Sequence, residues 1–392
     1  MRLHQMVLLE IAGALVLIAW VTDRALLMTV GPVAAVLVLL AALRWRGRPA
    51  LEWFKAVLAL RARLRAARRP WSAEGVDPAL APVLECEDAL RTYTYTDRQR
   101  ERGVGMVGDG TFLTALLLVQ PRDEPLRAAR EARPLELGLL HEALEVDGIR
   151  LESAQVVQHT QPAPGPHLSE QAAAARSYAQ LQTSSGAPAV RLTWIALKLD
   201  PKLCPEAVQA RGGGLGGAQR ALLRTADQLA SRLTAAGFDA SILTEAQLTS
   251  ALATSAGVNP QASALAARSE NPERRTVEST RTWRCDDRWH TTYWVGRWPH
   301  LGAGAAASAQ VVALLTSMPA PVSTFSMTVS RGTGGTPAVS GHVRLTARGA
   351  EELISVRRQL ERAARGVKVG LVRLDREQLP GVLATLPLGG TR

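Results

Sequence analysis

Two apolar runs at the N-terminus constrain the fold of this chain more than any other feature. Residues 6–22 and 25–43 each come close to the roughly 20 apolar residues that an α-helix needs to cross about 30 Å of hydrocarbon. Only Asp23 and Arg24 separate them, so the sequence predicts a transmembrane hairpin over residues 1–43. A cleaved signal peptide is the alternative for the first run, but a second apolar run directly after it favours the hairpin.

Basic residues after the second run predict how such a hairpin is oriented. Between residues 44 and 70, nine Lys or Arg side chains accompany a single acidic residue, Glu52. Positive charge this close to a span stays on the cytoplasmic side. We therefore expect a cell-membrane protein with two spans and with both termini in the cytoplasm.

The positive charge is concentrated in this same region of the chain. Eleven basic and three acidic residues lie within the first 69, so +8 of the formal net charge of +11 belongs to that segment. The remaining residues are nearly neutral, which argues against nucleic acid as a partner. Three distant cysteines (Cys86, Cys204 and Cys285) form no C-x-x-C pair, which indicates a reducing compartment and gives no zinc-site spacing.

The segment after the hairpin has the pattern of an amphipathic helix. Apolar residues recur at helical spacing from Trp53 to Leu64, whereas Lys55 and Arg65 fall off that face. Such a helix can lie on anionic headgroups, and packing on a partner subunit explains the stripe equally well. The predicted membrane-interface residues are Trp53, Lys55, Arg61 and Arg65.

Downstream, strand and helix patterns alternate in two series. If an extra helix at 168–181 is set aside, each series runs β-α-β-β-α-β, the order of the ferredoxin-like motif. The predicted fold class is two N-terminal transmembrane helices followed by an α+β cytoplasmic region of two tandem ferredoxin-like sandwiches. The predicted domains are a transmembrane hairpin (1–43), a basic juxtamembrane helix and linker (44–90), a first α+β domain (91–252), a linker (253–277) and a second α+β domain (278–392).

Two glycine motifs invite a phosphate-binding interpretation. The G-x-G-x-x-G at 103–108 is followed by Asp109-Gly110 and a strand, where a dinucleotide site needs a helix. A β-hairpin is therefore favoured there. The GGGLGG at 212–217 precedes a long helix but lacks the Gly-Lys-Ser/Thr ending of a P-loop. No cofactor is predicted from either motif.

A cluster of tryptophans and arginines lies between residues 281 and 298. Aromatic and Arg side chains together can anchor a protein partner or stack on bases, and on a strand pair they can equally form a core. The candidate partner contacts are Trp283, Trp289, Trp294 and Arg288. Within the same stretch, Asp286, Asp287 and His290 could act as acid and base or hold a cation. Adjacent strand residues point to opposite faces, so the two aspartates are not expected to converge on one site. The sequence therefore makes no positive case for an enzyme.

These pieces together resemble the EccE family of type VII (ESX) secretion systems. The resemblance rests on the basic exit LRWRGRP, on GVGMVGDG at 103–110, on Val156-Val157-Gln158, on the stretch 197–218 and on RCDDRWHTTYWV at 284–295. It implies a non-enzymatic membrane subunit at the periphery of a secretion complex, beside components of the EccB, EccC and EccD type and in contact with the lipid bilayer. The alternative function is a membrane-anchored enzyme or binding protein that acts on a nucleotide or lipid-linked substrate at the cytoplasmic face.

Overall fold

A computed structural model gives the fold of most of the chain. It describes residues 3–22, 26–42, 44–45, 48–69, 75–97, 101–122, 135–161, 167, 173, 177, 190–269, 273–299, 305–316, 322–332 and 336–390. The chain divides into two compact units, Met1–Pro70 and Trp71–Arg392, and each is described by itself. The predicted helix at 168–181 lies largely outside the described residues.

The first unit is a small helical assembly. Its elements are α1 (Leu3–Thr22), α2 (Leu26–Ala42), β1 (Arg44–Trp45), β2 (Arg48–Pro49) and α3 (Ala50–Ala66). The small side chains of Ala12, Ala19 and Ala34 are buried where α1 and α2 pack together. Small residues let two helix backbones approach closely, which explains the pairing of this hairpin.

The two apolar helices do not meet the requirements of membrane spans. Among the described residues, no helix combines the length and hydropathy that a bilayer crossing needs. Helix α2 has 17 residues with Pro32 inside it, about 25 Å at 1.5 Å per residue, against about 30 Å of hydrocarbon. Helix α1 begins at Leu3, has His4 and Gln5 in its first turn and carries Glu10. The prediction of two N-terminal transmembrane helices is therefore wrong, and the two-span topology loses its basis.

The second unit contains the remaining elements. Its strands are β3 (Arg91–Asp97), β4 (Arg102–Gly108), β5 (Leu113–Pro121), β6 (Glu145–Val146), β7 (Ile149–Arg150), β8 (Ser153–Gln161), β9 (Val190–Leu199), β10 (Phe238–Ile242), β11 (Thr276–Glu278), β12 (Trp283–Cys285), β13 (Arg288–Arg297), β14 (Val322–Arg331), β15 (Pro337–Ala347) and β16 (Gly370–Arg373). Its helices are α4 (Ala81–Leu84), α5 (Leu137–Glu142), α6 (Pro205–Gln209), α7 (Gly214–Ala235), α8 (Glu245–Ala256), α9 (Pro260–Ala266), α10 (Ala305–Thr316), α11 (Ala350–Gly366) and α12 (Gln378–Thr385).

Twelve of the described strands form one antiparallel sheet. The order along it is β11-β12-β13-β15-β14-β8-β9-β5-β4-β3, with β10 on β5 and β16 on β13. The prediction of two sandwiches with separate sheets is corrected by the pairing of β8 with β14, which runs from Ser323 opposite Thr160 to Ser330 opposite Ser153. Eight consecutive residue pairs make this junction as regular as any other in the sheet.

The sheet nevertheless repeats one pattern on either side of that junction. On one side the order is β10-β5-β9-β8, and on the other it is β16-β13-β15-β14. Numbered within each half along the chain, both are 4-1-3-2, the order produced by a β-α-β-β-α-β chain. The second strand of each half pairs with its counterpart, so two half-sheets become one.

Both faces of the sheet are covered by helices. On one face, α5 and α7 pack over the first half and α10 and α11 over the second, around residues such as Ile195, Leu229, Val343 and Leu360. On the opposite face, α4, α8, α12 and the C-terminal segment enclose a core that includes Trp194, Leu252 and Val382. Because both faces of the sheet are covered, the side chains of the central strands are buried on both faces.

The helix patterns agree with this placement. Helix α11 buries Leu353, Val356, Leu360 and Ala364, which recur every three or four residues and form one apolar stripe. Helix α8 begins with a capping box: the Thr244 hydroxyl accepts from the Gln247 amide, and the Gln247 side chain accepts from Thr244. These signals fix where each helix starts and which face it buries.

Candidate functional site

The region with the most side-chain chemistry is the hairpin of β12 and β13. Its turn is Asp286-Asp287, with Cys285 paired to Arg288 across it. Asp286 has φ of 50°, in the left-handed region that Asp tolerates better than most residues. Its backbone N–H donates to the Arg275 carbonyl at 3.0 Å. The turn is therefore fixed by the neighbouring edge strand as well as by the hairpin.

A buried ion pair holds this turn against the rest of the unit. Arg275 donates from Nε and Nη2 to the two Asp286 carboxylate oxygens, at 2.8 and 2.7 Å. Only 9% of the Arg275 side chain and 5% of the Asp286 side chain are exposed. The same carboxylate accepts from the Asn259 backbone N–H at 2.8 Å, and Arg275 Nη1 donates to the Pro78 carbonyl at 2.6 Å. One Arg–carboxylate pair thus joins segments more than 200 residues apart.

Glu85 is the second buried carboxylate of this region. It accepts from the backbone N–H groups of Arg275 and Thr276, both at 2.8 Å, and from the Thr276 hydroxyl at 2.6 Å. Burial raises the pKa of Glu85, although these hydrogen bonds act in the opposite direction. The carboxylate therefore holds the start of β11, the strand at one end of the sheet.

Two thiols lie next to these carboxylates. Burial raises the pKa of Cys86 to about 12, and it raises the pKa of Cys285 well above its usual value, with Asp286 adding to that rise. Both side chains are therefore neutral thiols at physiological pH, and neither has the environment of a reactive cysteine.

Asp287 projects from the turn into a smaller polar group. Its carboxylate lies 3.4 Å from His167 Nδ1 and 3.3 Å from Arg288 Nε, and it accepts from Asn259 Nδ2 at 3.2 Å. Burial lowers the pKa of His167, and the positive charge of Arg288 acts in the same direction. This group fastens His167 to the hairpin.

The four candidate partner contacts fall into two kinds of environment. Trp283 and Arg288 are buried, with 1% and 4% exposure, and Trp283 stacks at 4.9 Å between ring centroids on His290. Trp289 is half-buried with Arg284 over its ring at 5.9 Å, and Trp294 is 36% exposed. Only Trp289 and Trp294 present surface to a partner, and their contact role stays a prediction.

The predicted membrane-interface residues lie on α3. Lys55, Arg61 and Arg65 are exposed, whereas Trp53 is half-buried. The neighbouring Leu60 is buried, which places the apolar stripe against the rest of the first unit. Phe54 and Leu58 of the same helix are exposed, so its apolar residues are only partly used inside the unit, and its amphipathic character stays a prediction. Its contact with a membrane stays a prediction.

A row of buried polar side chains crosses the centre of the sheet beneath α8 and α12. His159 pairs across strands with Thr324, Thr324 with Arg344, and Arg344 with Thr292. All four are at most 1% exposed. No motif announces this row, although the alternation Thr324, Ser326, Thr328 on β14 signals a polar face within an otherwise buried strand.

Arg344 is the most unusual member of this row. It is fully buried, and no carboxylate among the described residues lies within ion-pair distance of it. Its Nη2 donates to the carbonyl of Ser255, one residue before the end of α8. The guanidinium therefore meets the negative end of a helix dipole. Burial lowers the pKa of Arg344 to about 10, which leaves it protonated at neutral pH.

Two histidines beside Arg344 are held neutral. His159 Nδ1 and His290 Nδ1 each lie 2.9 Å from a threonine hydroxyl, those of Thr324 and Thr346. Burial lowers the pKa of His159 to about 3 and that of His290 well below its ordinary value, and the charge of Arg344 adds to both effects. Both imidazoles, of His159 and of His290, are therefore neutral at physiological pH.

The three residues of the enzyme alternative do not form an accessible catalytic group. Asp286 is bound by Arg275, and His290 is fully buried with Thr346 as its partner. Asp287 is half-exposed on the outer side of the turn. Within the described part of the chain, no group of three or more His, Cys, Asp or Glu side chains could hold a metal ion.

Both glycine motifs serve packing. The G-x-G-x-x-G lies in β4, as the hairpin interpretation predicted. A Cβ on Gly105 would lie 2.5 Å from the Glu245 backbone nitrogen, so this glycine admits the start of α8. In the second motif, Gly212, Gly213 and Gly214 have positive φ and lead into α7. The Arg220 side chain folds back over this loop and donates to the Arg211 carbonyl at 2.6 Å.

Part of the chain is similar in sequence to known proteins. Two curated relatives, both named ESX-1 secretion system protein EccE1 and from two strains of Mycobacterium tuberculosis, are 29% identical over 210 residues. That alignment covers 52% of this chain and 40% of each relative, so the chain matches about two fifths of the length of the proteins it resembles. By their names, both relatives are secretion-system proteins.

A family model matches a narrower range of the chain. Residues 187–295 match the family model described as "Putative type VII ESX secretion system translocon, EccE". The resemblance to the EccE family that the sequence indicated is thereby confirmed. The matched range begins just before β9 and ends within β13, and it includes α7, α8 and the β12–β13 hairpin.

Proposed function

We propose that this chain is a structural subunit of a type VII protein secretion complex, located at the cell membrane and docked on the other membrane components. The observation that carries the proposal is the match of residues 187–295 to the EccE family model. This range holds the connection between the two halves of the sheet, including Arg275 and Asp286 of the buried ion pair. The part shared with the family is therefore the part that organises the whole second unit.

The surface of the first unit supports a role inside an assembly. Trp20, Val21 and Met28 are 62%, 75% and 87% exposed, and other large apolar side chains of α1 and α2 are also exposed. Contiguous apolar surface of this kind marks an interaction site in a folded protein. We propose that apolar surfaces of neighbouring subunits, of the EccB, EccC or EccD type, cover α1 and α2.

The proposed role is architectural rather than catalytic. The polar groups of the second unit are engaged in holding segments together: Arg275 with Asp286, Glu85 with Thr276, and Arg344 with the end of α8. Burial of that kind favours a rigid body, which suits a subunit whose surfaces must keep fixed positions in a complex.

Co-purification from native membranes tests the proposal. A tagged full-length chain, extracted in mild detergent, is expected to carry the other secretion components with it, as identified by mass spectrometry. A chain that lacks residues 1–43 is expected to lose these components, because it lacks the exposed apolar helices. A His141→Gln chain, altered at an exposed position on α5, serves as a control for tagging and expression. Recovery of the full-length chain without any secretion component would refute the proposal.

A further inference from the structure

A row of arginines on α11 forms a strongly basic surface that no function assigned above uses. Arg358, Arg362 and Arg365 are all exposed and follow one another at positions i, i+4 and i+7. That spacing puts them on one side of the helix over about 10 Å of its length. We call these three residues the α11 ridge.

The α11 ridge is not neutralised within the described part of the chain. No described carboxylate lies within 4 Å of its guanidinium groups. Arg362 Nε and Arg365 Nε donate to carbonyls of their own helix, at 3.3 and 3.1 Å. The acidic residue nearest in sequence, Glu361, is engaged by Arg357 at 3.7 Å and by the Tyr293 hydroxyl at 2.7 Å. The positive charge of the ridge therefore faces solvent uncompensated.

The equivalent helix of the first half is different. Helix α7 covers the same face of the sheet, and two of its outward arginines have acidic partners: Arg224 pairs with Asp147 at 2.8 Å, and Arg232 pairs with Glu142. A third, Arg220, donates to the Arg211 carbonyl. The charge balance of the sequence has the same asymmetry, since residues 278–392 contain fifteen basic and eight acidic residues. An unpaired basic surface is thus a feature of the second half.

We infer that the α11 ridge is a docking surface for an acidic segment of another protein, with carboxylates at helical spacing. The size of the bare surface favours a protein over a lipid bilayer. A flat anionic membrane that met this helix layer would, beside the ridge, meet the Arg224–Asp147 and Arg232–Glu142 ion pairs, whose charges already balance, and would gain little attraction there. The uncompensated charge covers only two helical turns, which is the footprint of one helix or short strand.

The apolar side of α11 gives a second reason. A helix that binds membranes inserts apolar side chains between the headgroups. In α11 the apolar stripe of Leu353, Val356 and Leu360 is already buried against the sheet. The ridge can therefore bind a partner through its charge but has almost no apolar side chain to insert into a bilayer. Carboxylates of a protein fit such a surface best. This partner assignment deepens the proposed function and rests on it.

Fluorescence anisotropy with a defined peptide tests the inference. The probe is a labelled alanine-based helical peptide with Glu at positions i, i+4 and i+7, and its counterpart has Gln at the same positions. The purified full-length chain in detergent is expected to bind the Glu peptide at low ionic strength and to ignore the Gln peptide. Replacement of all three ridge residues (R358Q, R362Q and R365Q) is expected to weaken binding about tenfold, as three exposed ion pairs allow.

The matched control is the double variant R224Q and R232Q on α7. It removes two arginines from the same face of the sheet, where carboxylates already neutralise them, and it should bind the Glu peptide as the unaltered chain does. Circular dichroism verifies that both variants are folded. Equal affinity of ridge variant and unaltered chain would overturn the inference, as would absence of peptide binding by the unaltered chain. So would binding to phosphatidylglycerol vesicles without binding to the peptide.

This assay and the co-purification experiment can fail independently. The peptide assay uses the isolated chain and does not require an assembled complex. A complex that forms normally while the peptide is ignored would remove the ridge assignment and leave the proposed function intact. Peptide binding without secretion components in the purified sample would do the reverse.

Discussion

Acidification should destabilise the second unit through the two histidines beside Arg344. His159 and His290 are buried and neutral in the folded protein, where burial and the Arg344 charge hold their pKa values far below the ordinary range. In the unfolded chain the same side chains have pKa values of about 6.5. Between pH 7 and pH 5 the unfolded state therefore takes up protons that the folded state refuses, and stability falls.

The size of this effect follows from linkage. A histidine with a pKa of about 6.5 when unfolded, and neutral at pH 5 when folded, loses about 2 kcal/mol of stability between pH 7 and pH 5. The two buried histidines together give a loss of about 4 kcal/mol. Glu85 acts in the opposite direction, because its raised pKa lets the folded state take up a proton first, and it offsets part of the loss.

Urea unfolding followed by circular dichroism, at pH 7, 6 and 5 and constant ionic strength, measures this slope. The variant His159→Gln replaces one titrating ring by a neutral amide and should reduce the loss by about 2 kcal/mol. His342, whose pKa burial lowers to about 4, and His167, whose pKa burial also lowers, keep contributing to the pH dependence in this variant. The matched control is His141→Gln, an exposed position on α5, which should leave the slope unchanged. A total loss below about 1 kcal/mol, or an unchanged slope in His159→Gln, would refute the reasoning.

Three further outcomes follow from the same structure. Arg275→Met leaves the buried Asp286 carboxylate uncompensated and should lower the free energy of unfolding by about 3–5 kcal/mol. Adding Asp286→Asn to that variant should restore a part of the loss. If the effects of the two substitutions simply add, the ion-pair assignment is contradicted. Gly105→Ala should cost about 2 kcal/mol or more because its Cβ would lie 2.5 Å from the Glu245 nitrogen, whereas Gly103→Ala, whose Cβ would have its nearest neighbour at 3.7 Å, should cost little by the same unfolding assay. Cys86 and Cys285 should resist iodoacetamide at pH 8 in the native protein and react after unfolding, as peptide mass spectrometry would detect; rapid native labelling would show that the thiols are not buried.

Individual elements of the second unit were readable from the sequence because their signals are local. The β-branched and apolar run at 190–199 coincides with β9, and the apolar stripe starting at Leu353 marks α11. The junction of the two halves has no such signal. Pairing of β8 with β14 depends on which two strands lie next to each other in the sheet. The alternation of side chains along a strand predicts which face is buried but not which strand is its neighbour.

The helical N-terminus shows the limit of apolar content as a criterion. The runs at 6–22 and 25–43 are apolar enough to suggest spans, but α1 carries the ionisable Glu10 and α2 has only 17 residues. The mean hydropathy of an apolar stretch of sequence does not show where the helix begins and ends. The structural length of the helix decides whether it can cross a bilayer.

The candidate site could be located from the sequence but its organisation could not. The Trp- and Arg-rich stretch pointed to the β12–β13 hairpin, yet two partners of that hairpin, His167 at Asp287 and Thr346 at His290, lie far away along the chain. A buried Glu or Arg looks like a surface residue in a sequence. Only the fold shows that Arg344 faces the end of α8.

The most direct test of the account is the mass of the particle that the tagged chain forms after gentle extraction from native membranes. The account predicts a particle far larger than the 42.0 kDa of the chain, with stoichiometric secretion components in it, by native mass spectrometry. A chain recovered as a 42.0 kDa monomer from those membranes, with the other components migrating in a complex of their own, would contradict it.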